Sequence, residues 1–403
     1  MHDVIVIGGG PSGSTAANLL AAHGRKVLLL EREVFPRFHI GESLLPCDLP
    51  IFKRLGVELK ATCQFKKGAE FIDEKTGDVA TFDFNAALAG ENRTAWQVER
   101  SVFDKLLLDR AAAVGAEVRQ GVKVASAAFD EGGVTVSSTA GEFRARYAID
   151  ATGQDALFAR NAHTVEPWDG FGRAAVFTHY TGLSEEIWSR EILPNGNIKI
   201  LMVDDGWMWV IPLRGPKLSV GIVTRGGRIT SELLDEAIAA SPIIQKLTAG
   251  SERTPAKIIR NFSYKNHRTR GPRFLCVGDA AAFLDPVFST GVSLGMLSSE
   301  LAADVLAPAL ASGREGDAEL MAAHEAKMAI AYQQFGALVH FFYNRKLVHN
   351  LFFGEDARPD IRAGITSILA GDVWRTDNKF ADMLTGSSRA ADATPFTRRM
   401  PQA

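Results

Sequence analysis

VIVIGGGPSGSTAANLLAAHGRKVLLLE, Val4 to Glu31, is the stretch that decides the fold. Its first four residues are a continuous β-branched run, the pattern of a strand buried on both faces of a parallel sheet. Gly8, Gly10 and Gly13 follow in G-x-G-x-x-G spacing. A helix is predicted from about Ser12 to His23, Gly24 stops it, and a second strand runs from Lys26 to Leu30 and ends at Glu31. Glycines at these positions permit a tight turn, close approach to a pyrophosphate and packing of helix on strand, while the acid accepts ribose hydroxyls. Strand, turn, helix, strand and acid in this order predict a dinucleotide site. Glu31, where an arginine could stand, favours an unphosphorylated adenosine ribose.

A second stretch belongs beside it: CVGDAAAFLDPVFSTGVSLGM, Cys276 to Met296. A short apolar strand turns at Gly278-Asp279, a loop holds Pro286, and an apolar-periodic helix begins near Thr290-Gly291, with Ser289 as its expected N-cap. The first N–H groups of a helix lack intrahelical partners and carry the positive end of its dipole, so they can hold an anion or an electron-rich ring edge. An acid after a strand, then an open helix start, suits a cofactor with sugar hydroxyls and a ring that becomes anionic. FAD has both. An ordinary strand-turn-helix unit is the alternative reading, and Val4 to Glu31 argues against it.

Between these stretches, FPRFHIGESLLP (Phe35 to Pro46) is too irregular for a helix interior and reads as a loop passing the middle of the cofactor, although Arg37 and Glu42 could equally be a solvated face. If Lys66 and Lys67 lie on an extended segment they point to opposite faces, so at most one reaches an interior. Arg100, just before a helix that carries Phe103, Leu106, Leu107 and Ala111 on one face, is a candidate for a phosphate or flavin-edge contact. Strands at Val122–Phe129, Val134–Ser138 and Phe143–Ile149 lead to the small-residue corner Asp150-Ala151-Thr152-Gly153. In GWMWVIP, period two puts Trp207, Trp209 and Ile211 on one strand face as an apolar wall. A packed sheet core is the plainer account of it.

The expected fold is α/β: a discontinuous Rossmann-like unit of 1–72, 94–160 and 269–305, a β-rich lobe of 73–93 and 161–268, a helical region of 306–385 and a flexible tail of 386–403. Aromatics in the helical region, among them Tyr332, Phe335, Phe341, Phe342, Tyr343, Phe352 and Phe353, either roof an apolar substrate cavity or form core. The 403 residues, 46% hydrophobic and 23% charged with net charge −2, carry no basic excess that would point to nucleic acid or an anionic membrane. Cys47, Cys63 and Cys276 are scattered, no histidine cluster reads as a metal site, and no uncharged apolar run reaches the roughly 18 residues of a span. A chain entering its first strand at once leaves no room for a leader, and cytoplasmic localisation is expected.

Taken together, the chain resembles the flavin-dependent halogenases, within the FAD-dependent aromatic hydroxylase class. The family's G-x-G-x-x-G stands as Gly8, Gly10 and Gly13, its W-x-W-x-I-P as Trp207, Trp209, Ile211 and Pro212, and its F-x-x-P-x-x-S-x-G as Phe283, Pro286, Ser289 and Gly291. Arg37 with GESLLP and the Gly278-Asp279 pair also fit, and the resemblance spans about residues 1 to 305. It implies a glutathione-reductase-type FAD domain in which Gly8, Gly10, Gly13, Glu31, Arg37, Arg100, Asp279, Pro286 and Gly291 contact the cofactor. The family's essential lysine matches Lys66 of KKGAEF, with Lys67 as runner-up. Tryptophan-type members have a glutamate where this chain has Phe288, which points away from free tryptophan to phenols, pyrroles or carrier-tethered aromatics, such as precursors of secondary metabolites.

The implied reaction passes through a flavin hydroperoxide, which oxidises halide held by the N–H groups of Thr290 and Gly291 to hypohalous acid. Trp207 and Trp209 would screen flavin from substrate, and Lys66, across that wall, would aim the oxidant at an electron-rich ring carbon. No second dinucleotide fingerprint is visible, which implies a separate flavin reductase. The alternative is a hydroxylase or epoxidase that uses NAD(P)H and gives its oxygen straight to substrate. A non-catalytic, redox-responsive flavoprotein is a third reading.

Overall fold

The computed structural model describes residues 1–386 except 91–92, 169, 173, 205, 227–228 and 355–357. Apart from Gly386, the expected tail lies outside the described residues. Strand β1 (His2–Ile7), helix α1 (Pro11–Ala22) and strand β2 (Val27–Glu31) form the opening unit, with every residue of β2 buried. The sheet built on it runs Arg270–Gly271, Phe274–Cys276, Gly141–Asp150, β1, β2, Glu117–Gln120, and its central pairings are parallel. Parallel pairing needs crossovers, so β1 and β2 end at the same edge, Ile7 opposite Leu30, with Gly8 and Glu31 just beyond. Ligands of open α/β sheets bind outside that carboxyl edge.

A second sheet runs Glu252–Arg253, Ala174–Thr181, Lys217–Thr224, Gly206–Leu213, Ile198–Val203, Gly68–Asp73, Val79–Asp83. The strand Gly68–Asp73, expected with the first unit, pairs with Ile198–Val203, so the crossover between sheets falls before Gly68. Its Phe71 is buried in the aromatic core on one face of the second sheet and its Ile72 in the core on the other, burial that favours this pairing. The short strand Gln64–Lys66 pairs with Ala95–Gln97 between the two sheets.

Helix α2 (Thr290–Ala311) is long and apolar enough to cross a membrane, but it carries Glu300 and Asp304 and buries Leu294, Met296, Ala302, Ala303 and Leu306 within the protein. Helix α3 (Ala322–Phe342) follows; Phe352 beyond it lies 4.8 Å from Phe71 and 4.9 Å from Phe82 on the second sheet, and Phe342 at its end lies 6.1 Å from Phe71. Of the two roles open to these aromatics, they pack as core.

Candidate active site

A cavity of about 960 Å³ opens between the sheets, at the upper end of ordinary ligand pockets. It runs from Glu31 and the Gly8–Gly10 turn, past Arg37, Arg100 and Asp279, to Trp207, Trp209, Pro286, Thr290 and Gly291. The glycines divide their work by where a side chain would go. A Cβ on Gly13 would stand 1.9 Å from the Gly8 carbonyl oxygen, so it serves the packing of turn on helix, whereas one on Gly10 would meet nothing nearer than Arg37 Nη2 at 3.6 Å, leaving room for a ligand. Glu31 is 5% exposed and accepts from Gly9 N–H at 2.6 Å and Glu33 N–H at 2.8 Å, which fixes its carboxylate on the cavity wall. An elongated cavity with a helix N-terminus, an acid and an arginine along it fits a dinucleotide of FAD's size.

Arg37 and Arg100 reach this cavity joined by a residue that sequence reasoning did not single out. Asp104, fully buried, takes Arg100 at 2.7 and 2.9 Å and Arg37 at 2.8 Å. The remaining Arg100 donors go to the carbonyls of Ile40 at 2.7 Å and Gly41 at 3.3 Å. Arg100 is the first residue of its helix, 5% exposed, and its guanidinium braces the Phe35–Pro46 loop. The four-residue spacing to Asp104 was a legible signal. Glu42 is likewise no solvated residue: it is 2% exposed and pairs with His179 at 2.7 Å. Loss of solvent pushes the Asp279 carboxyl up to about 6, with Arg100 opposing.

The start of α2 is built differently from expectation. Ser289 adopts φ 60°, ψ 29° and makes no side-chain cap, because a capping oxygen reaches the first turn from an extended backbone and not from a left-handed one. The capped element is the preceding short turn Pro286–Phe288, where Asp285 Oδ1 accepts from Val287 N–H at 3.0 Å and Oδ2 accepts from Gly172 N–H at 2.9 Å and the Tyr343 hydroxyl at 2.6 Å. Thr290 and Gly291 therefore open the helix on the cavity wall with no side chain of Ser289 over them.

Trp207, Trp209 and Ile211 share the face toward the cavity, while Met208 and Val210 fill a core on the other side. Both indole N–H groups are tied, Trp207 to the Tyr343 hydroxyl at 3.3 Å and Trp209 to Ser219 Oγ at 3.0 Å, and the ring centroids are 6.0 Å apart. The wall is thus both cavity lining and sheet core.

The two adjacent lysines part company. Lys67 is half-exposed and pairs with Asp83 at 2.9 Å. Lys66 is 1% exposed and donates to Ser43 Oγ at 2.9 Å and the Leu44 carbonyl at 2.8 Å. Ser43 lines the cavity, so the Lys66 amine stands one hydrogen bond behind the wall. Burial brings its pKa down to about 7 from 10.5, with Asp48 the main opposing charge.

A group that binds its proton more weakly folded than unfolded makes stability rise with pH between its two pKa values, here from about 7 to 10.5, and below 7 the cost of the buried ammonium is fully present. Lys66→Met should accordingly change Tm more favourably near pH 7 than toward about pH 10, the lost hydrogen bonds to Ser43 and Leu44 entering equally at both. A Tm difference that stays constant across that range would contradict the buried, titrating amine.

Comparison with known proteins adds to this geometry. The sequence model of the tryptophan halogenase family matches residues 3–93 and 85–370. A 1H-pyrrole-2-carbonyl-[peptidyl-carrier protein] chlorinase of Pseudomonas fluorescens is 29% identical over 406 residues, covering 93% of this chain and 90% of its own. The corresponding brominase of Pseudoalteromonas luteoviolacea is 31% identical over 396 residues, covering 92% of each. Among solved structures, the flavin-dependent brominase Bmp2 superposes with a TM-score of 0.82 at 28% identity over 97% of this chain and 99% of its own, and a flavoprotein/dehydrogenase of Cytophaga hutchinsonii with 0.86 at 28% over 97% and 98%.

Proposed function

The chain belongs to the tryptophan halogenase family of flavin-dependent halogenases, and from that premise we propose that it halogenates an electron-rich aromatic ring of the phenol or pyrrole type, including rings tethered to a carrier protein. It is an FAD-dependent oxidoreductase. Phe288 in place of an acid, and relatives that act on pyrrole-2-carbonyl groups held by a peptidyl carrier, favour this substrate class over free tryptophan.

Bound FAD supplies the redox chemistry, using reducing equivalents and O2 to turn halide into hypohalous acid. The chain's own residues do the rest. Glu31 accepts hydroxyls of the adenosine ribose and Asp279 those of the ribityl chain. The Gly8–Gly13 turn would receive the pyrophosphate, Arg37 would supply positive charge to it, and Arg100 holds the Phe35–Pro46 loop at the same cavity. Uncapped N–H groups at Thr290 and Gly291 hold the halide, binding an anion without offering a competing nucleophile. Trp207 and Trp209, locked by their N–H bonds, keep water and substrate from the ring. Lys66, one hydrogen bond behind the wall, acts on the hypohalous acid through the Ser43 hydroxyl that lines the cavity.

The observation that carries this reading is the buried Lys66 amine, one hydrogen bond from a cavity that also presents an uncapped helix start. A separate flavin reductase is the proposed electron source. The three cysteines are free, which suits a reducing cytoplasm. The test is incubation of the purified protein with FAD, NADH, a flavin reductase, bromide and a simple phenol, followed by mass spectrometry. Brominated phenol that needs both bromide and the reductase is expected. A hydroxylated product formed without bromide would replace this reading with the monooxygenase.

A further inference from the structure

Lys66 and a second buried charge meet across one peptide group. Its Nζ donates to the Leu44 carbonyl at 2.8 Å, and the N–H on the other side of that peptide, Leu45 N, donates to Asp48 Oδ2 at 3.2 Å. The same carboxylate oxygen accepts from Ser293 Oγ at 2.8 Å. Asp48 is fully buried and Ser293 is 1% exposed. Ser293 stands on α2, two residues beyond Gly291. A cation on the carbonyl and an anion on the N–H polarise a peptide in the same sense, so each hydrogen bond strengthens the other.

We propose that Asp48 is the positioning residue of Lys66: anchored by Ser293 to the helix that begins at Thr290, its carboxylate holds the amine in place and in charge through the Leu44–Leu45 peptide. The inference rests on the role given to Lys66 above. It links the lysine to the helix start, since Asp48 accepts from Ser293 on that helix and from the N–H of the peptide whose carbonyl takes Lys66.

The groups facing this pair are few. Lys66 faces the Asp48 carboxylate, the Cys47 thiol and the Phe84 ring, whose centroid is 5.4 Å away. Asp48 meets Lys66 and Cys47, and Cys47 in turn meets Asp372. Burial pushes the Cys47 thiol well up, which leaves it neutral, so Asp48 is the facing group able to hold negative charge near pH 7. Burial also raises Asp48 to about 6, with the Ser293 hydroxyl, the Leu45 N–H and Lys66 opposing. Removing the Asp48 charge takes away the main influence that keeps the Lys66 proton on, and Lys66 then titrates at lower pH.

The experiment is Asp48→Asn in the full chain loaded with FAD. Asparagine keeps an oxygen for Ser293 and Leu45, removes the charge, and turns the other oxygen, which faces the Cys47 thiol, into an amide nitrogen. With reductase, NADH, bromide and phenol, the limb of the halogenation pH profile that titrates near 7 should move about one unit acidward, measured relative to NADH oxidation. Independently of activity, the Tm changes of Asp48→Asn and Lys66→Met at pH 7 should fail to add in the double variant, because coupled sites are non-additive. An unmoved limb, or Tm changes that add, would overturn the proposal. Should Asp48→Asn fail to fold, Ser293→Ala serves in both measurements: a smaller acidward shift is expected, and no shift overturns it. If the wild type brominates no phenol, the substrate reading fails while the thermal cycle still decides the role of Asp48.

Discussion

Lys66→Ala is expected to lower halogenated product at least about 100-fold while NADH and O2 continue to be consumed, since a positioned proton donor contributes about that much or more. The amine touches Ser43 Oγ on the cavity wall and lies off the turn, acid and arginines assigned to the cofactor, so its loss should separate oxidant production from oxidant use. Alanine also removes four methylene groups' worth of volume and orphans two acceptors, Ser43 Oγ and the Leu44 carbonyl. Lys66→Met keeps the volume and should show the same loss of halogenation. Lys67→Ala, at a half-exposed lysine paired with Asp83, should change product by less than about twofold. If Lys66→Ala instead slowed NADH oxidation in proportion to halogenation, the lysine would be serving the cofactor rather than the oxidant.

The second large effect is expected from one methyl group. Gly13→Ala would put a Cβ 1.9 Å from the Gly8 carbonyl oxygen and 3.0 Å from the Gly8 carbonyl carbon, and both are backbone atoms that no rotamer change can move aside. Overpacking of this kind costs about 3 kcal/mol, which, expressed as displacement of the turn, corresponds to at least about 100-fold weaker FAD binding. The protein should purify without colour and resist reconstitution, as measured by flavin fluorescence quenching. Gly10→Ala is the companion variant, because its Cβ would enter the cavity with Arg37 Nη2 at 3.6 Å as its nearest neighbour. It should keep the wild-type Tm and still lose FAD affinity. Gly13→Ala binding FAD within tenfold of the wild type would remove the turn from the cofactor site.

Much of the site was legible because its parts are local. A β-branched run, three spaced glycines and an acid dictate β1, α1 and β2 within 30 residues, and parallel pairing then sets Gly8 and Glu31 at one sheet edge. The Trp207-Trp209 wall follows from the two-residue period of a strand, and the divergence of Lys66 and Lys67 from the same rule. The expected cap at Ser289 fails for an equally local reason: serine caps a helix from extended backbone, and Ser289, at the end of the Pro286–Phe288 turn, is left-handed.

Sequence by itself determined the sheet edge, the glycine turn, the acid and the order in which the helix start and the indoles enter the chain, because each depends on contacts between residues close in sequence or on a strand's fixed alternation. Only the tertiary structure decided that Arg37 joins the Arg100–Asp104 pair, that the Phe71 strand sits in the second sheet, and that Lys66, Asp48 and Ser293 share one buried network. Within that network the Lys66–Leu44 and Asp48–Ser293 bonds span 22 and 245 residues of chain. They form because burying a charge or a ring leaves each group seeking whatever partner the folded core brings near, and no pattern along the chain encodes which partner that is.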